Sequence, residues 1–291
     1  MNKEVALLAG YWTIAGKIES FIDNDRSPFD FRDRAEAAAR AGYTGMGLKH
    51  ADLMAVAARY GFPEMKSILA SNSLKHLELE ALFDWFATGE RRRQSDLVRK
   101  DLLTAAERLG ARHLKVVGDF QQGDWPLDRL AACFGALCAE AANAGTRVGL
   151  ELIPFSNVRD LATALAIVGE TAATNGGVLL DIWHVTRGGI DYQDLAGIPK
   201  ECIVSVELND ASERQVGSML EDSIHRRKLC GQGDFDVPAF IRAVLTAGYD
   251  GPFGVEIISE EQRMRSLAEA AEQSFVTTMR QFAGLTGASR C

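Results

Sequence analysis

Glu151, Asp181, Glu207 and Glu256 each close a short apolar run: Gly149-Leu150-Glu151-Leu152, Leu179-Leu180-Asp181-Ile182, Ser205-Val206-Glu207-Leu208 and Gly254-Val255-Glu256-Ile257. A strand covered on both faces has no place for a charge in its middle, so such acids belong at its carboxyl end, where α/β proteins bind ligands. Asp181 alone reads equally well as a helix cap, and His184, three residues on, as a surface histidine. The recurrence of the pattern decides against that for the set. Converging carboxylates repel one another unless a cation or a proton intervenes, and a divalent metal is the economical answer. A set of oxygen ligands with at most one imidazole nearby favours Mn²⁺ or Mg²⁺ over Zn²⁺, with Co²⁺ or Fe²⁺ as alternatives.

The elements that must position these acids alternate along the chain. Strands are expected at Val5 to Leu8, Gly45 to Leu48, Leu74 to Glu80, His113 to Asp119, Val148 to Leu152, Val178 to Asp181, Cys202 to Asp210 and Pro252 to Ile257. Between them, Phe29 to Gly42, Leu53 to Arg59, Ser95 to Leu109, Leu127 to Asn143, Val158 to Val168 and Val237 to Ala247 carry apolar residues at helical spacing, and a last helix runs from Met264 to Phe282. Ala211 to Asp236 is too long for a plain connection and reads as a functional loop. Eight strand–helix units without a flexible linker predict an α/β protein, a single (β/α)8 TIM barrel over residues 1–291 with a C-terminal helix. Two doubly wound domains would scatter the acids over two sites, and no Gly-x-Gly-x-x-Gly turn is present. Closure gathers them into one.

Composition excludes other classes. With 47% hydrophobic and 25% charged residues in a chain of 291, a large core is expected and disorder is not. No apolar run reaches the ~20 residues of a membrane span, and Val5 to Ala9 is too short for a signal-peptide core, so a cytoplasmic location is expected. A formal charge of −8 argues against nucleic acid as a partner. Cys133, Cys138, Cys202, Cys230 and Cys291 lack metal-site spacing and read as reduced thiols. A homo-oligomer is compatible with all of this.

Gly149 to Glu151, Asp181 to His184, the acid-bearing seventh strand ending in Asn209-Asp210, the segment Arg226 to Asp234, and Gly248 to Glu256 together resemble the xylose isomerase-like TIM barrels, with ketose 3-epimerases, inosose isomerases and dehydratases, and dehydroshikimate dehydratases among them. The resemblance implies that Glu151 and Glu256 bind metal and flank the substrate as an acid/base pair, that Asp181 is a third ligand, and that His184 contacts a substrate oxygen. It also implies that Arg226 or Arg227 holds a substrate hydroxyl or carboxylate. The fourth ligand in the epimerases is a histidine, and in some dehydratases a glutamine, where this chain has Glu207. A fourth carboxylate makes the site more anionic and the metal a weaker Lewis acid.

These parts support proton abstraction next to a carbonyl through an enediolate, on a sugar, keto-sugar or cyclitol. Reprotonation decides between epimerisation and isomerisation, and loss of a β-substituent would make a lyase. A non-catalytic sugar-binding subunit has no need of four unpaired acids in one mouth. Glu151 and Glu256, three strands apart, are placed on opposite sides of a ligand, with Asp181 and Glu207 between them. His225 lies on the long loop within reach of substrate; Trp12, Phe155 and Trp183 are candidates for an apolar wall. His50 and Glu80 fall at predicted ends of strands two and three, while His76 and His113 read as structural.

Overall fold

In a computed structural model describing residues 5–19, 25–171 and 173–285, eight parallel strands close into a barrel in sequence order. They are Leu7–Ala9 (β1), Gly45–Lys49 (β2), His76–Leu82 (β3), His113–Val117 (β4), Arg147–Glu151 (β5), Gly176–Asp181 (β6), Ile203–Leu208 (β7) and Phe253–Val255 (β8). β1 pairs with β8 and completes the ring. Helices pack outside it, and one apolar core joins their inner faces to the outward side chains of the strands. Among the described residues no helix is long and apolar enough to cross a membrane.

The expected elements are present with shifted bounds, and the shifts have local causes. The second helix does not stop at Gly61: it resumes beyond a break there, where φ is 70°, a conformation glycine adopts without strain, and the whole runs His50–Ser71. The final helix is divided, because Ser259 and Ser266 each cap a new start, giving Glu260–Met264 and Leu267–Gln281. The predicted long loop carries its own helix, Met219–His225, begun by a capping box between Ser218 and Glu221. Asp210, at the entrance of that loop, accepts from the backbone N–H groups of Ala211, Gly231, Gly233 and Phe235 and folds the segment back on itself. Cys133, Cys138, Cys202 and Cys230 are free thiols, and Cys291 lies outside the described residues.

The interior is polar at its centre. Buried His113 on β4 contacts Glu78 on β3 at 2.6 Å, and above this pair Lys115 extends toward the mouth. Lys115 is in register with Gly149 across the β4–β5 pair, and Glu207 with Gly254 across β7–β8. A Cβ on Gly254 would lie 2.9 Å from Glu207 Cγ, so glycine there is what lets the Glu207 side chain pass.

Candidate active site

Closure of the barrel brings the four strand-end acids together. Glu151 and Asp181 end β5 and β6, Glu207 is the last residue but one of β7, and Glu256 directly follows β8. Each contributes an oxygen to a cluster whose atoms lie within 4.8 Å of one another, and all four residues are buried. Glu151 and Glu256 line the floor of a cavity whose open space is about 650 Å³ counted with its mouth, while Asp181 and Glu207 are buried and do not line it. Trp12, Phe83, Phe120 and Phe155 make an apolar wall above the charged floor.

The carboxylates do not stand alone. Arg227 Nη1 donates to Asp181 Oδ2 at 2.6 Å and to Glu256 Oε2 at 2.8 Å. Lys115 Nζ lies 2.7 Å from Glu256 Oε1 and 2.8 Å from Glu207 Oε1, and donates to Glu207 Oε2 at 3.0 Å. Asp181 also accepts from the Trp183 backbone N–H at 2.6 Å and from Asn209 Nδ2, so it caps the helix Ile182–Arg187 and belongs to the cluster as well. Glu151 is the least occupied: among the described residues it accepts no hydrogen bond, and His184 Nε2 stands 3.6 Å away.

Four acids against two buried cations leave two negative charges without a counter-charge. With no ion bound, protons take that part. Burial pushes Glu151 up to about 8, Lys115 pulling it down less than burial and Glu256 raise it. Glu207 is pushed well above the ordinary carboxylate range, by burial first and by repulsion from Glu256 second. On the barrel wall beside them, burial holds Glu80 at about 7. Lys115 is raised well above its ordinary value because Glu207, Glu256, Glu80 and Glu151 outweigh its burial. Burial and then Arg227 drive His184 well below its usual value, so its imidazole is neutral. A divalent cation would supply the same two charges as the two protons, and the oxygen donors are close enough to share it. The residues therefore fit such an ion in charge and in donor type.

A pH dependence follows. Glu151 and Glu80 titrate at about 8 and about 7 in the folded chain against about 4.5 when free. Folded values above unfolded ones mean that their contribution to stability is complete below about pH 4.5 and is lost as pH rises through 7 to 8. The chelator-treated protein is expected to melt at lower temperature at pH 8.5 than at pH 6, with a smaller difference in Glu151→Gln. A melting temperature that rises over this interval refutes the assignment.

Of the other residues singled out in the sequence, His184 and Arg227 line the cavity, as do Glu80, Trp12 and Phe155. Three expectations are corrected. Arg226 is exposed and joins Ser259 only through a backbone bridge; the chain turns at the end of the helix Met219–His225 so that the next residue, Arg227, points inward. His225 Nδ1 is held by Arg263 Nη2 at 2.7 Å, away from the cavity. Trp183 is fully buried behind the wall, where its ring lies against Arg227 and near Phe155. His50 pairs with Asp101 on the outside, and His113 is structural, as expected. Lys115 and Asn209 were not singled out for the site. The signal for Lys115 was present: a lysine in the run His113-Leu114-Lys115-Val116-Val117 needs a buried counter-charge for the same reason as an acid in a strand.

A closed barrel of eight parallel strands with a buried acidic cluster at their carboxyl ends is a (β/α)8 protein whose candidate site lies where that fold binds ligands. A model of the xylose isomerase-like TIM barrel family matches residues 35–277, and the chain belongs to that family. Among characterised relatives, it is 28% identical over 235 residues to 3-dehydroshikimate dehydratase of Pseudomonas aeruginosa, a match covering 78% of this chain and 36% of that protein. The chain thus spans little more than a third of the length of that relative. It is 24% identical over 137 residues to inosose isomerase of Bacillus subtilis, covering 46% of this chain and 48% of the relative. Solved structures with the same fold include the IolI protein with a bound zinc atom, at a TM-score of 0.83, 18% identity and coverage of 96% and 98%. D-allulose 3-epimerase from Methylomonas sp., in complex with D-allulose, superposes at a TM-score of 0.72 with 17% identity and coverage of 96% and 98%.

Proposed function

We propose that the chain is a divalent-metal-dependent isomerase or epimerase that moves a proton next to the carbonyl of a sugar, keto-sugar or cyclitol. The observation that carries this reading is the buried cluster of Glu151, Asp181, Glu207 and Glu256, two of which, Glu151 and Glu256, line a cavity at the carboxyl ends of the strands. A bound divalent ion, Mn²⁺ by its all-oxygen donor set with Mg²⁺ or Co²⁺ as alternatives, would polarise the substrate carbonyl and its neighbouring hydroxyl.

The rest is assigned to the chain's own side chains. The Glu256 carboxylate, paired with Arg227, takes the proton from the carbon beside the carbonyl. Negative charge then develops on the carbonyl oxygen, and Arg227, which lines the cavity and whose Nη2 donates to His184 Nε2, is placed to donate to it. Glu151, which accepts no hydrogen bond among the described residues, is assigned to the other side, where it delivers a proton to the enediolate. Delivery to the same carbon from the opposite face gives an epimer, and delivery to the neighbouring carbon gives an isomer. The aromatic wall stacks on the ring and keeps water away.

Elimination is the second reading, favoured by the match to a dehydroshikimate dehydratase over 78% of the chain. It uses the same abstraction, after which Glu151 protonates a departing β-hydroxyl. Ketohexoses, keto-inositols and dehydroshikimate incubated in heavy water distinguish the two: exchange of the α-proton with a rearranged product marks the isomerase, and a conjugated product absorbing in the ultraviolet marks the lyase. Absence of exchange and of product with every compound defeats both. Elemental analysis is expected to find about one divalent ion per chain, and much less in Asp181→Ala. Equal content in the two proteins removes Asp181 from the ligand set.

A further inference from the structure

Lys115 has a place at this site that neither strand-end acids nor a metal explains. It rises from the middle of β4 opposite Gly149, is 2% exposed, and its ammonium touches Glu256 and Glu207 at 2.7 and 2.8 Å, with Glu80 Oε2 at 3.4 Å. Two of the four clustered acids therefore spend their free oxygens on it. Oxygens that close around an ammonium at hydrogen-bond distance are the ones that would close around a divalent ion at ~2.0–2.2 Å. The two cations compete for the same carboxylates and repel each other there.

We propose that Lys115 is the resident counter-cation of the cluster, so that ion binding in this chain is an exchange that Lys115 opposes and not the filling of an empty cage. The inference rests on the reading of the cluster as an ion site, and it deepens that reading by naming the residue that sets the affinity. Its companion is Glu207, whose two carboxyl oxygens lie 2.8 and 3.0 Å from the ammonium and give it a buried partner. The structure also holds a second station for the displaced side chain. Glu80 lines the same cavity, already lies within ionic reach of Nζ, and its buried Oε1 makes no hydrogen bond among the described residues. An ammonium moved from Glu207 and Glu256 to Glu80 stays paired and buried, so the exchange leaves no orphaned charge.

The test is a titration of chelator-stripped protein with Mn²⁺, reading free Mn²⁺ by electron paramagnetic resonance and the melting temperature with and without the ion. Lys115→Met is expected to bind Mn²⁺ at least ~10-fold more tightly than the wild type, an effect of the size seen when the surroundings of a metal are altered, and to gain more in melting temperature from it. Because Lys115→Met leaves buried acids uncompensated, Lys115→Met/Glu207→Gln is measured against Glu207→Gln alone, a pair in which the same gain is expected. Equal or weaker affinity on loss of Lys115 overturns the inference and makes the lysine a group that holds the acids in place for the ion. Tight binding by Lys115→Met with none by the wild type upholds it and instead removes metal dependence from the proposed function. No binding by any of these proteins overturns both.

Discussion

Glu256→Gln and Glu151→Gln are each expected to lower the rate of α-proton exchange by about 10²- to 10⁴-fold, the usual contribution of a general acid or base. The substitutions keep volume and hydrogen-bonding shape, and neither removes a residue on which the apolar core depends. Both acids also belong to the proposed ion site, so lost turnover alone would not separate proton transfer from ion binding. Each variant is therefore to be saturated with Mn²⁺, its ion content verified, and exchange from heavy water into substrate followed by NMR. If the ion-loaded variant exchanges at the wild-type rate, that residue is a ligand only and the two-acid scheme fails. The two should differ in detail. Glu256 is tied to Lys115 and Arg227 on both oxygens, whereas Glu151 accepts no hydrogen bond among the described residues and has His184 Nε2 at 3.6 Å. A wider cost to stability is thus expected from Glu256→Gln than from Glu151→Gln.

Arg227→Met is expected to destabilise the ion-free protein by about 3–5 kcal/mol, the range found when one partner of a buried ion pair is removed. The guanidinium bridges Asp181 and Glu256 with both partners buried, and its Nε and Nη2 donate to the Ser223 carbonyl and hydroxyl. Chemical denaturation in the presence of a chelator measures the loss. Mn²⁺ should restore part of it, because a dication can neutralise the same two carboxylates. A change below ~1 kcal/mol would show that water or protons compensate the pair and that Arg227 contributes through substrate contact alone. Arg226→Met, one residue away and exposed, serves as the control and is expected to change neither stability nor exchange.

The barrel and the four acids were legible in the sequence, for one reason. Both depend on short-range pattern: alternating strands and helices require β-branched and aliphatic runs bounded by glycine and polar caps, and an acid at the end of such a run is placed by covalent adjacency at the carboxyl edge of a strand. Closure, which puts β5 to β8 side by side, then makes neighbours of Glu151, Asp181, Glu207 and Glu256 without further information. Inward direction within irregular chain is a different matter. Arg226 and Arg227 are equivalent in sequence, and only the turn after the helix Met219–His225 decides that the second enters the cavity. Trp183 and His184 are likewise adjacent on one short helix, yet the histidine faces the cavity and the tryptophan is packed behind it. The charge balance lay further still from view. The acids looked unpaired because their partners come from β4 and from the loop after β7, 92 residues from Glu207 and 46 from Asp181 along the chain. Which of the possible counter-charges reaches a buried carboxylate depends on barrel radius, register and the space left by Gly254, and these exist only once the sheet has closed.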